Sequence, residues 1–228
     1  SGPSLLLATL IYTVQIYGDF AGYSLMALGS AKIMGFDLID NFRRPYFSMN
    51  TTEFWRRWHI SLSTWFRDYV YIPLGGNRVR KWRHNCNILI TFLVSGLWHG
   101  AAYNFILWGG LHGVYQIAGK YTLPYQDRVL RFCRITPNGL IHKFTHISLT
   151  FILIAYAWMI FRVDNLDAVI DITKRYFTGG SLYIHRTTLV YFTMALFILF
   201  LKEVNEEFFN KKIFSTHDRF LVRVISYA

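Results

Sequence analysis

The sequence predicts an all-α, polytopic membrane helical bundle with a broken or re-entrant segment at its centre. Three observations carry that expectation. Charged residues make up 16% of the 228-residue chain and hydrophobic ones 53%, against roughly 25% charged in soluble domains. Apolar runs long enough to cross a bilayer, or nearly so, recur along the chain. The stretch Asn87–Gln116 runs for thirty residues without one Lys, Arg, Asp or Glu. One helical crossing takes about twenty residues, so this stretch is too long for one span and too short for two with a loop. Irregular backbone at membrane depth persists only where protein buries it or water reaches it. The break is therefore expected near Gly96–Asn104, with His99 at or beside it and turned away from lipid.

Leu5–Met34 is the first span, and Asp19 is its one formal charge before Lys32. Gln15 and Tyr23, one turn to either side, share the face of Asp19. Gly18 and Gly22 allow close approach of a second helix. A carboxylate at that depth is a functional candidate or one half of a structural ion pair, with Arg43 as the partner.

Lys32–Cys86 is polar, with ten Lys/Arg against four Asp/Glu. Within it, Glu53–Tyr69 reads as one amphipathic helix lying in the membrane interface. Trp55, Trp58, Leu62, Trp65, Phe66 and Tyr69 fall on its apolar side, and the arginines fall opposite. Asn50 and Glu53 stand at capping-box spacing at its start. His59 lies on the edge of the aromatic face. Pro73–Asn77 is expected to turn.

After the central stretch, Gly119–His146 is expected to be a second basic loop, and Ile147–Phe161 and Thr187–Leu201 are apolar runs of fifteen residues. The tail from Lys202 is mixed in charge and expected to be interfacial or soluble. The positive-inside rule puts Lys32–Cys86 and Gly119–His146 on the cytoplasmic side, so the central stretch enters and leaves on one face. It puts Asp164–Asp171 outside. The net charge of +11 flanks apolar runs and forms no nucleic-acid signature, so no nucleic-acid partner is expected. Cys86 and Cys133 have neither metal nor redox spacing and imply no disulfide. Residues 1–228 are expected to form one membrane domain, the C-terminal half of a longer protein.

The chemistry available at neutral pH is that of His59, His99 and His112, with Asp19 in support. Ser95 and Tyr103 lie one turn from His99, and glycines flank both His99 and His112. His112 reads more simply as a hydrogen-bonded interior ring. A three-histidine metal centre is the minor alternative, because the ligand spacing matches no usual pattern. No bound metal is expected.

Four segments carry a family resemblance: QIYGDFAGYS (15–24), NFRRPYF (41–47), FWRRWHISLSTWFRDYVYIPLGGNR (54–78) and GLWHGAAYNFILWGGLHG (96–113). Together they resemble the membrane-bound O-acyltransferase family, in its bacterial alginate O-acetylation branch. Ala21 stands where the family usually has Ser, and Leu25 where this branch often has Asp. The resemblance implies a funnel-lined membrane bundle, with the LWHG histidine, His99, catalytic and His59 the second active-site position. Asp19, Ser95, Trp98, Asn104 and His112 are kept as substrate-binding or supporting positions.

The resemblance also implies a bacterial inner-membrane enzyme without a bound cofactor. Its acyl donor would be acetyl-CoA or another cytoplasmic thioester, and its acceptor an extracytoplasmic protein or polysaccharide. Membrane lipid is the remaining partner. A D-alanyl transferase of the teichoic-acid branch, and a non-catalytic transporter or export scaffold, are the alternatives. His99, deep in the apolar stretch, is expected to be the more buried ring and the proton acceptor. His59, near the arginines, is expected to donate a hydrogen bond to the acyl carbonyl.

Overall fold

The computed structural model describes residues 1–137 and 139–208, and every regular element among them is helical. The chain divides into a compact unit of Ser1–Gly180 and a second that begins at Ser181. The first unit holds α1 (Gly2–Ile33), α2 (Thr51–Arg57), α3 (Ile60–Phe66), α4 (Lys81–His99), α5 (Tyr103–Phe132), α6 (Leu140–Arg162) and α7 (Leu166–Arg175). The second holds α8 (Arg186–Phe208). By length and composition α1, α6 and α8 can each cross a bilayer. The protein is thus an all-α membrane bundle, as its composition predicts. The first turns of the mixed-charge tail belong to α8, and residues 209–228 lie outside the described residues.

The uncharged centre folds as an antiparallel hairpin of α4 and α5, broken at Gly100–Ala102, and His99 is the last residue of α4. Small residues bring the two backbones together. A Cβ on Gly96 would collide with the Phe105 carbonyl, and one on Gly109 with that of Phe92. From Asn87 to His99 the uncharged arm is about 20 Å of helix, short of the roughly 30 Å of bilayer hydrocarbon. At the open end of the hairpin Lys120 Nζ lies 3.0 Å from His84 Nε2. The basic flanks of the central stretch therefore sit side by side.

Two expectations need correction. Gly119–His146 is not a loop: α5 runs on through Pro124 to Phe132, and α6 begins at Leu140. Glu53–Tyr69 is not one helix. It breaks after Arg57, because His59 takes a left-handed conformation at φ 44° and ψ 56°. After α3 the chain makes one wide π turn over Arg67–Tyr71.

Periodicity counts on an unbroken register, and the kink resets it. Trp58 and Phe66 are buried, whereas Trp65 and Tyr69 are exposed, so the aromatic residues do not form one lipid-facing side. The start of α2 is as expected, with the Asn50 side chain accepting from Glu53 N at 2.8 Å. The Pro73–Asn77 turn is also present. Buried Asn87 of α4 fastens it by donating to the carbonyls of Leu74 and Gly76 at 3.1 Å.

The core lies where α2, α5 and α6 meet, around Phe54, Trp58, Trp108, Ile154 and Trp158. Aromatic rings meet there tilted or stacked, 4.9–5.9 Å apart at Trp58–Trp158, Phe54–Trp58 and Trp108–Trp158. Such pairs add about 0.5–1.5 kcal/mol each beyond their area burial. They fix the wall against which the histidines are placed. On the far side of the unit, Tyr176 after α7 meets Thr9 of α1 at 2.6 Å.

Candidate active site

A cavity of about 450 Å³ opens between α1, the α2–α3 kink, the hairpin tip and α6. Asp19, His59 and His99 all line it, although eighty residues of chain separate the first from the last. Trp55, Trp58, Trp108, Trp158 and Phe161 supply half of the remaining wall. A concave, largely apolar site with a few convergent polar groups is the usual form of a small-molecule pocket.

His99 is positioned by rings. The planes of Trp108 and Phe161 stand at 87° to it, each 5.1 Å away, and Trp98 lies at 5.0 Å. Among the described residues no hydrogen bond ties its nitrogens, so both are available to a substrate. It ends α4 because Gly100, at φ 159°, leaves the helical path.

His59 is positioned by hydrogen bonds. The segment at Asn41 runs beside the kink: Ile60 N donates to Asn41 O at 3.0 Å, and Arg43 N to Arg57 O at 2.9 Å. The Asn41 side-chain oxygen accepts from Ser61 Oγ at 2.7 Å and from Ser61 N at 3.2 Å. His59 Nδ1 lies 3.4 Å from the same oxygen. An oxygen already accepting two bonds asks for a donor at that nitrogen, which puts the proton on Nδ1 and leaves Nε2 as an acceptor. Phe20 holds the ring from one side at 4.7 Å. Burial, reinforced by the nearby His99, lowers the His59 pKa to about 4, so the ring is neutral at physiological pH. A left-handed non-glycine residue costs about 1–3 kcal/mol and persists only where its surroundings over-determine it. The Asn41 segment and the aromatic wall provide that.

These facts revise the division between the two rings. Both are half-buried, so depth does not distinguish them. With its Nδ1 proton turned to Asn41, His59 offers an acceptor rather than the expected donor. Sequence reasoning had quoted Asn41 within NFRRPYF without assigning it a task. The signal that finds it is spatial, since eighteen residues separate it from His59.

The supporting positions scatter. Asp19 sits on the exposed rim of the cavity and forms no ion pair with Arg43 among the described residues. His112 is fully buried behind the wall, accepting from Trp55 Nε1 at 3.2 Å through its Nδ1. It braces Trp55 and Trp108 and does not line the cavity, so the three histidines do not converge. The interior-ring reading of His112 is the one its surroundings match. Trp98 packs on His99 from an exposed position. Ser95 is buried one turn before His99 and lines no part of the cavity. Asn104 is buried at a neighbouring hollow with Tyr12, Phe161, Arg162 and Asp164, and among the described residues its Oδ1 has no partner.

Comparison with known proteins decides the family. The family model described as MBOAT, membrane-bound O-acyltransferase family, matches residues 4–166. The chain belongs to the membrane-bound O-acyltransferase family. Similar curated proteins include "Probable alginate O-acetylase AlgI" of Pseudomonas syringae pv. tomato, 47% identical over 164 residues. That match takes in 70% of this chain and 29% of that protein. The peptidoglycan O-acetyltransferase of Helicobacter pylori is 40% identical over 168 residues, 74% of this chain and 30% of that protein. The teichoic acid D-alanyltransferase of Bacillus subtilis is 41% identical over 110 residues, 45% of this chain and 28% of that protein. The matched stretch thus spans about a third of the length of these family members. All three candidate cavity residues, Asp19, His59 and His99, fall within the family match.

Proposed function

We propose that this chain carries the acyl-transfer centre of a bacterial inner-membrane O-acetyltransferase that modifies an extracytoplasmic polysaccharide or acceptor protein. The single observation behind the reading is that His59 and His99 meet on one cavity between packed helices. The donor is a cytoplasmic thioester, acetyl-CoA in the first instance, used as a substrate and not as a resident cofactor. His99, with no competing hydrogen bond, takes the proton of the acceptor hydroxyl as its oxygen attacks the thioester carbonyl. The C–S bond breaks, and the proton passes from His99 to the departing thiolate. General-base action of this kind is worth about 100- to 10,000-fold.

His59 Nε2 is a second acceptor at the same cavity and orients the hydroxyl toward His99. No acyl-enzyme is required: among the described residues no Ser or Cys lines the cavity, and the Ser61 hydroxyl beside His59 donates to Asn41 Oδ1 at 2.7 Å. The hairpin's adjacent basic flanks support a topology with Lys32–Cys86 and Lys120 on the cytoplasmic side. The D-alanyl alternative is less favoured, because that relative matches 45% of the chain against 70% for the alginate relative. The non-catalytic reading gives no account of two histidines meeting on one substrate-sized cavity.

The test uses the full-length protein in native membranes with labelled acetyl-CoA and the cell's own polysaccharide. Transfer of label, lost in His99→Ala at unchanged protein abundance, is the expected result. Normal O-acetylation in that variant would overturn the assignment.

A further inference from the structure

Away from the cavity, Asp127, His142 and His146 form a second cluster of titratable groups. Asp127 lies on α5 beyond Pro124, and the two histidines lie one turn apart on the same face of α6. Asp127 Oδ1 is 3.1 Å from His142 Nε2 and 3.1 Å from His146 Nε2. One ligand atom from each residue falls within 4.8 Å of the others. Both rings are buried, while the Asp127 side chain is 43% exposed. Among the described residues His142 Nδ1 has no partner, so none of them draws the far side of that ring away. None of the three residues lines the cavity.

We propose that Asp127, His142 and His146 bind one divalent transition-metal ion of the zinc type, which pins the end of α5 to the start of α6. Zinc takes His nitrogen and carboxylate oxygen at about 2.0–2.2 Å, so ligand atoms around it stand roughly 3.3 Å apart in a tetrahedron. The two distances to Asp127 are already close to that. Histidines spaced i and i+4 on a helix give two ligands on one face, and the carboxylate from a second helix supplies the third. Two neutral imidazoles and one carboxylate reduce a dication to a single positive charge. The exposed side at Asp127 leaves a path for the ion and room for water as the fourth ligand. Without an ion both rings compete for one carboxylate oxygen. With it, both Nε2 lone pairs point at the same centre, and the α5–α6 connection is closed by a cross-link. The role is structural, holding α6, whose Trp158 and Phe161 form part of the cavity wall.

The test uses untagged full-length protein in detergent, stripped with chelator, loaded with zinc and desalted. The wild type should keep about one zinc per chain, and His142→Ala/His146→Ala should lower this at least about tenfold. Cobalt(II) loaded in place of zinc should give a visible absorption band of a four-coordinate site, lost in the double variant and weakened in Asp127→Asn. Zinc should raise the melting temperature of the wild type and leave that of Asp127→Asn nearly unchanged. Should the double variant fail to fold, Asp127→Asn alone decides through the cobalt band. Zinc content no higher in the wild type than in the variants, or a cobalt spectrum indifferent to Asp127→Asn, overturns the proposal. Asp127 would then simply accept hydrogen bonds from two rings.

Discussion

The two histidines of the cavity reach it by opposite means. His99 ends a helix at the tip of a glycine-packed hairpin and is held by aromatic rings, with no hydrogen bond on its nitrogens among the described residues. His59 sits in strained left-handed backbone and is held by a loop from a different part of the chain. Ring contacts fix where an imidazole lies while leaving its proton chemistry open. Hydrogen bonds fix the tautomer as well. The proposed roles rest on this difference, with His99 as the free proton acceptor and His59 as the orienting group, even though both are half-buried.

The comparison breaks most visibly at the hairpin tip. His99→Ala and His99→Gln should both lower acetyl transfer by about 100- to 10,000-fold, since neither side chain takes up a proton. Transfer of labelled acetyl in membranes, normalised to protein abundance, measures this. His59→Gln should keep measurable activity where His59→Ala does not, because the amide still meets Asn41 and still offers an acceptor. A His59→Gln protein as inactive as His99→Gln, with both folded, would replace the division of roles by a proton relay through both rings.

The backbone contact behind His99 gives a second, structural test. Gly109→Val forces Cβ into the Phe92 carbonyl, and overpacking of this sort costs about 1–3 kcal/mol. A lower melting temperature in detergent is expected, together with loss of activity. An unchanged melting temperature would mean that the α4–α5 contact contributes little.

On the other side of the comparison, Asn41→Ala removes the oxygen that faces Ser61 and His59. A lost hydrogen bond of about 1 kcal/mol corresponds to roughly a fivefold effect. The loss should appear in turnover more than in donor affinity. Asn41→Asp, which retains the acceptor oxygen, should restore most of it. Equal losses in both variants would point to the backbone pairing at Asn41, not its side chain, as what positions His59.

A further expected effect concerns pH. The His59 pKa is depressed to about 4 in the folded protein from about 6.5 when unfolded. Between those values the unfolded chain binds more protons, so stability rises with pH there and is lost as pH falls. His59→Gln should flatten that part of the curve. Melting temperatures of the two proteins from pH 4 to 7 check it, and parallel curves would mean that His59 is not held neutral by its burial.

Much of this protein was determined by its sequence alone. Asn87–Gln116 could only be a broken apolar segment, because bilayer thickness sets the length of a span and no charge interrupts these residues. The break fell where glycines and His99 had placed it. The family was legible in WRRWHISLS and LWHG, short segments in which aromatic and histidine residues recur at fixed order. Local capping was legible too, since Asn50 acts on the amide three residues away.

The tertiary structure decided what depends on distant neighbours. Periodicity assumes one continuous register, so it could not foresee that His59 would leave the helix, a conformation stabilised by hydrogen bonds that Ile60 and Ser61 donate to Asn41. Nor could it tell that His112, flanked by glycines like His99, would lie behind the cavity wall with its Nδ1 committed to Trp55. The spacing of His142 and His146 is visible in sequence, but only the packing of α5 against α6 brings Asp127 to both of them. Short-range forces act between residues near in the chain, and these contacts join residues that folding alone makes neighbours.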